Sequence, residues 1–337
     1  MKHVTIKDIA SRLGLSVSTV SRALADDRNI RLETKRLITT TAEAMGYRRN
    51  HTAALLRSGK TGTIGMIVNE MLTPFASKVY EGIQHEMSQA GYRIQIANSH
   101  DDPELELKHL RMMNHARVDG LIVSPCIGTK NISEFKEYNA SGHPIVFFSR
   151  YIDSIDASKV VTNDYDKAFY LTQHLIHCGR KRIVHINWAD GPTNFDNIKR
   201  GFLDCLRKFS ISPDPQMMLS LEKAAFPGQE AVRMILEREL EFDAVFACTD
   251  IIAIDVMNEL RYAGYRIPED VAIAGFYGTQ LSKLVYPALT TAEPPHHEIG
   301  RKAAQLLLEK LSNPEKENET IMLDSRLCLR ESSMISN

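Results

Sequence analysis

From residue 62 onward the chain alternates short apolar runs with longer amphipathic stretches, and that alternation leaves few folds open. The apolar runs are 63–68, 93–97, 120–124, 144–149, 159–162, 182–187, 244–248, 271–275 and 289–292. Between them lie stretches with apolar residues at helical spacing, among them 75–89, 165–177, 197–209, 228–240, 251–263 and 296–311. Strand, helix and strand in succession build parallel sheets covered by helices on both faces. Runs such as Ile145-Val146-Phe147-Phe148 are apolar at every position, as strands buried on both faces must be. About 270 residues of this pattern form one very large sheet or two smaller ones.

The first 60 residues are of another kind. They hold 12 Lys and Arg against 5 Asp and Glu, whereas the other 277 residues hold 29 against 37. The net charge of −1 therefore hides a basic head on an acidic body, the balance expected where one part binds a polyanion. Thr5 followed by Asp8 makes a capping-box start. Ile6, Ile9, Ala10 and Leu13 then fall on one helical stripe, and Gly14 stops the helix. Ser16 caps a second helix to Leu24, with Val20, Ala23 and Leu24 inward. A third spans about 33–45, with Leu37, Ile38, Thr41, Ala42 and Met45 inward, and Gly46 ends it. This is a helix-turn-helix. Val17, Ser18, Ser21 and Arg22 face outward on the second helix. A short polar face enters a major groove, where an Arg can make two bonds to guanine. A three-helix bundle without a ligand would leave that face unexplained.

The runs Val4-Thr5-Ile6-Lys7-Asp8-Ile9-Ala10 and Gly14-Leu15-Ser16-Val17-Ser18-Thr19-Val20-Ser21-Arg22-Ala23-Leu24 resemble the start of a lactose-repressor (LacI/GalR) family transcription regulator. Gly46-Tyr47 and the following Tyr47-Arg48-Arg49-Asn50-His51-Thr52-Ala53-Ala54-Leu55-Leu56 continue the match into the family's hinge. The resemblance implies a DNA-binding domain over 1–46, a hinge over 47–61 and an effector-binding and dimerisation domain over 62–337. It implies DNA contacts from Thr5, Ser16, Val17, Ser18, Ser21, Arg22 and Thr34, and from Asn50, Ala53 and Leu56 in the hinge. Leu56 matches the leucine that wedges into the minor groove, where an apolar side chain unstacks a base step and kinks the duplex. Ala25 stands for the usual Asn, Arg31 for a Ser cap, Arg49 for the hinge Pro and Ala54 for the hinge Arg.

Gly62-Thr63-Ile64-Gly65, Val118-Asp119-Gly120-Leu121-Ile122, Phe246-Ala247-Cys248-Thr249-Asp250 and the run from Pro268 to Phe276 carry the resemblance through the body. It implies two doubly wound, parallel-sheet subdomains of periplasmic-binding-protein type joined by three crossings. One would hold 62–161 and about 293–323, the other 162–290 and about 324–337. In open parallel sheets ligands sit beyond the carboxyl ends of the strands, here between the subdomains. The strand ends, with the family match, name Asn69, Phe75, Ser124, Arg150, Trp188, Asn197, Phe226, Asp250 and Tyr277 as effector-binding candidates. Trp188 and Phe226 would stack on a sugar's C–H face, and Asp250 would accept its hydroxyls. Core packing or a turn cap is the competing role for each. Ile198 replaces a family Arg, Tyr277 an Asp and Thr249 an Asn, so three polar effector contacts are altered.

Other classes find little support. Gly59-Lys60-Thr61 resembles the end of a phosphate loop, but Ala54 occupies the position of its first Gly. The sequence carries no Gly-x-Ser-x-Gly elbow and no metal-site spacing of His or Cys, so no enzyme activity, cofactor or metal is expected. Five scattered cysteines give no disulfide framework. The polar N-terminus and the lack of a long apolar run point to a cytoplasmic chain with no membrane partner. The expected partners are double-stranded operator DNA, a small-molecule effector such as a sugar or sugar acid, and a second copy. Two half-sites require at least a homodimer, and a tetramer stays open. The competing readings are a transport-type sugar-binding protein and an enzyme tethered to DNA.

Overall fold

The computed structural model describes residues 4–24, 26–47, 60–189, 193–222 and 226–334. The chain divides into two compact units, Met1–Thr61 and Gly62–Asn337.

The head contains α1 (Ile6–Leu13), α2 (Val17–Leu24) and α3 (Leu32–Ala44). The Thr5 backbone N–H donates to the Asp8 carboxylate at 2.7 Å, which fixes the start of α1. Gly14 ends it at φ 64°, a left-handed conformation that suits a residue without Cβ. The Thr19 N–H donates to Ser16 Oγ at 3.1 Å, capping α2. Ile9, Ala10, Val20, Ala23, Ile38 and Ala42 form the small core. Leu37 departs from expectation: it is 55% exposed. Ile38 and Ala42 already occupy the inward stripe of α3, and the position before Ile38 lies a quarter-turn or more away.

The body begins with β1 (Thr63–Val68), α4 (Pro74–Gln89), β2 (Arg93–Asn98), α5 (Pro103–His115), β3 (Gly120–Val123), α6 (Ile132–Ala140), β4 (Ile145–Phe148) and β5 (Ser158–Thr162). It continues through α7 (Asp164–His177), β6 (Ile183–Trp188), α8 (Thr193–Lys208), β7 (Met218–Leu221), α9 (Pro227–Glu237), β8 (Ala244–Ala247), α10 (Asp250–Tyr262) and β9 (Ala272–Ala274). It closes with β10 (Thr291–Glu293), α11 (His296–Ser312), β11 (Thr320–Leu323) and β12 (Arg326–Cys328).

These strands build two parallel sheets, not one. The first has the order β11-β5-β4-β3-β1-β2 and the second β7-β6-β8-β9, while β10 and β12 pair antiparallel by themselves. The chain passes from the first sheet to the second after β5, returns between β9 and α11, and leaves again after β11. Along β1, Ile64, Met66 and Val68 enter the core on one face of the first sheet and Ile67 the core on the other. The second sheet carries its own large core around Val184, Phe202, Val245, Phe246 and Ile273. Strands β7, β11 and β12 lie outside the runs read from sequence. They are three or four residues long, and β11 is an edge strand with no fully buried residue, so none carries a periodic apolar signal.

Helices α4 and α11 bring their backbones together over the first sheet. A Cβ on Gly82 would lie 2.1 Å from the His297 carbonyl oxygen, and one on Gly300 1.9 Å from that of Val79. Glycine inside a helix costs up to about 1 kcal/mol relative to alanine. Here it is the residue that permits the contact.

Candidate nucleic-acid interface and effector cleft

In the head, α2 turns Val20 and Ala23 into the core and leaves Val17, Ser18 and Arg22 exposed, with Ser21 half-buried. The Arg22 side chain is 66% exposed, and its ion-pair partner among the described residues, Asp27, stands 3.9 Å away, so the guanidinium can be redirected. Ser16 and Ser18 bond through their hydroxyls at 2.8 Å. Thr5 is exposed at the start of α1, and Thr34 is half-buried in the first turn of α3. Asn50, Ala53 and Leu56 lie outside the described residues, as do Ala25, Arg49 and Ala54.

In the body, the carboxyl ends of the first sheet converge on one polar group. Arg150, just after β4, bonds Asp101 at 2.5 Å and the Pro125 carbonyl at 3.4 Å. Asp101 also accepts from the Ile127 N–H at 3.1 Å and from Asn69 Nδ2 at 3.4 Å. Ser124 Oγ reaches Asn69 Oδ1 at 3.5 Å. Sequence reasoning named Asn69, Ser124 and Arg150 but missed Asp101, which follows β2 and was visible to the same strand-end rule.

The second sheet meets this group across the cleft. The Arg150 guanidinium lies 5.7 Å from the ring centre of Phe195, in the first turn of α8. Burial raises the Tyr151 phenol of the first lobe, and Asn197, two residues on from Phe195, pulls against that rise. Tyr277, after β9, donates its hydroxyl to Asp164 at 3.0 Å and accepts from Asn194 Nδ2. Asn194 is buried, and its Oδ1 has no partner among the described residues. Burial pushes the Asp164 carboxyl up to about 7, against the pull of the Thr162 and Tyr277 hydroxyls. Burial also raises the Tyr277 phenol, reinforced by Asp164 beside it. Phe75 lies edge-on to His296 at 5.1 Å, and burial holds that imidazole below its usual range. Trp188 is half-buried at the end of β6, packed on the second core.

Two effector candidates are placed elsewhere. Asp250 is fully buried, and its oxygens take the Thr279 N–H at 2.6 Å and the Thr291 hydroxyl at 2.5 Å. Each of its oxygens is thus engaged by a protein donor, and burial lifts its carboxyl to about 7. Phe226 is 67% exposed at the start of α9 and lines a groove with Gln229, Asp255, Asn258, Glu259 and Tyr262 of α9 and α10, apart from Arg150 and Tyr277. Among the described residues, no cluster of His, Cys, Asp and Glu could hold a metal ion, and no helix is long and apolar enough to cross a membrane.

Comparison with known proteins agrees with this geometry. Residues 5–50 match the lacI family of bacterial regulatory proteins, and residues 172–333 a periplasmic binding protein-like domain. The catabolite control protein A of Priestia megaterium is 30% identical over 334 residues, covering 98% of this chain and 99% of that protein. The chain belongs to the lacI family of bacterial regulatory proteins. Its relatives also include a PurR-type transcriptional repressor of Mannheimia succiniciproducens, 27% identical over 97% of this chain and 98% of its own. These relatives are named as regulators, not enzymes. Among solved structures, the lac repressor dimer on operator superposes with a TM-score of 0.84 over 99% of this chain and all of its own, at 20% identity. A LacI-family regulator of Enterococcus faecium with bound ribose gives 0.71 over 80% of this chain and 98% of its own, at 25% identity. This lacI-family chain is thus a transcription regulator with a DNA-binding head on a periplasmic-binding-protein-like body.

Proposed function

We propose that the protein is a cytoplasmic, metabolite-responsive repressor that binds a near-palindromic operator as a homodimer. The observation that carries this reading is the two-faced α2, with Val20 and Ala23 buried and Val17 45% exposed beside Ser18 and Arg22. Two such helices meet two half-sites about one duplex turn apart. Asn50, Ala53 and Leu56 would add the hinge contacts, Leu56 as the minor-groove wedge.

The effector reading rests on the cleft. Asn69, Ser124 and Arg150, with Asp101, offer donors and acceptors from one lobe, and Asn197 and Tyr277 from the other. Phe195 and Trp188 supply apolar faces in place of the exposed Phe226. That mixture suits a sugar or sugar acid, and the ribose in the E. faecium regulator makes sugars the first class to test. Selection of operator DNA from a random library tests the DNA half of the reading. Two inverted half-sites support it, with a log–log salt slope of about −0.9 per phosphate contacted. Recovery of no preferred sequence would refute it.

A further inference from the structure

We propose that residues 276–279 form a coupling bar that carries what the cleft binds to the crossings between the lobes, with Tyr277 and Asp250 as positioning residues. The proposal rests on the effector-cleft reading above.

The four residues bond to both sides of that path. At the cleft, the Tyr277 hydroxyl joins Asn194, whose Oδ1 has no partner among the described residues, to Asp164, two residues past the end of β5 at the first crossing. On the second crossing, His296 Nε2 donates to the Tyr277 carbonyl at 3.2 Å, and the Gly278 N–H donates to Thr291 Oγ1 at 3.2 Å. Asp250 ties the bar down: its N–H donates to the Phe276 carbonyl at 2.8 Å, and its carboxylate takes both Thr279 N–H and Thr291 Oγ1. The third crossing enters through Glu293, which pairs with Arg326 of β12 at 2.7 Å and with Lys283 at 3.1 Å.

The bar has no slack. A Cβ on Gly278 would stand 2.4 Å from the Glu293 Cα. Tyr277 and Gly278 are successive left-handed residues, at φ 76° and 48°. A side chain with Cβ keeps that conformation only where its surroundings over-determine it. A ligand that takes Asn194 Oδ1 or competes for the Tyr277 hydroxyl therefore changes the restraint on Tyr277, and Gly278 and Thr279 must follow. An element that both cleft and hinge bias is what coupling requires.

The test needs no effector. Spin labels at Lys136→Cys on α6 and Asn258→Cys on α10 report the interlobe distance in the full-length protein, with Cys178 and Cys328 replaced by Ser. Tyr277→Phe and Thr291→Val are each expected to shift that distance distribution, and the double variant to shift it no further than the larger single. Thr291→Ser, which keeps the hydroxyl, is expected to retain the parent distribution. If Thr291→Val does not fold, Asn194→Ala takes its place with the same expectation. Distributions unmoved by the single variants, or shifts that simply add, would overturn the coupling bar, because a loop with only a structural role would lower the melting temperature and nothing else. A metabolite screen without hits would strike the effector reading instead and leave these distributions as they are.

Discussion

Replacing Asp250 by Asn should favour the folded state by about 3 kcal/mol more at pH 8 than at pH 5. Asp250 is fully buried, and its carboxyl is raised from an ordinary 3.8 to about 7. The folded state therefore holds a proton that the unfolded chain has already released over that interval. Stability from this group is complete below 3.8 and is lost as the pH rises through about 7. The loss accumulates at about 1.36 kcal/mol per pH unit from 3.8 to about 7, so about 3 kcal/mol of it falls between pH 5 and pH 8. An Asn carries no such proton. Its oxygen can accept the Thr279 N–H, and its amide can donate to Thr291 Oγ1, so both anchoring contacts survive. Asp164, also at about 7, and the buried His185, depressed to about 4 and opposite in sign, are present in both proteins and cancel in the difference. Urea unfolding at pH 5 and pH 8, followed through Trp188, the single tryptophan of the chain, measures it. Equal destabilisation by Asp250→Asn at both pH values would refute the reasoning, because Asp250 would then be ionised throughout.

The other predictions draw on the head, the hinge, the helix contact and the cleft. Gly82→Ala should cost at least about 1–3 kcal/mol in the same unfolding assay, since its methyl would sit 2.1 Å from the His297 carbonyl; unchanged stability would contradict the α4–α11 contact. Arg22→Ala should lose roughly 1–3 kcal/mol on operator and much less on random DNA; equal losses would make Arg22 a phosphate contact. Leu56→Ala should reduce operator bending measured by energy transfer, and unchanged bending would remove the wedge. Trp188 fluorescence should respond to the true effector, and a ligand that alters operator affinity without moving it would place the site away from β6.

The layers of this fold are legible in the sequence because buried parallel strands must be apolar throughout, as Ile145 to Phe148 are. The head is legible for a different reason: its caps are local, and Thr5, Asp8, Gly14 and Ser16 act within a few residues of themselves. The short strands β7, β11 and β12 are held by pairing with distant partners and leave no local trace. The cleft is half-legible. Strand ends locate Asn69, Ser124, Arg150 and Tyr277, but residue type does not tell a ligand-facing carboxylate from one spent on the backbone. Asp250 sits at a strand end yet is consumed by Thr279 and Thr291, while Asp101 stands beside Arg150 and went unnamed. Phe226 shows the same gap, because its orientation is set by the start of α9 and not by the strand before it.

Operator affinity with and without metabolites tests the central claim most directly. Fluorescence anisotropy of a selected operator duplex, titrated with full-length protein in the presence of a panel of sugars and sugar acids, gives the coupling in one number. The account predicts that at least one compound shifts the affinity by roughly 5–150-fold, a coupling of about 1–3 kcal/mol, and that Arg150→Met loses the shift while still binding operator. An affinity that no compound changes, or a shift that survives in Arg150→Met combined with Asn69→Ala, would contradict it.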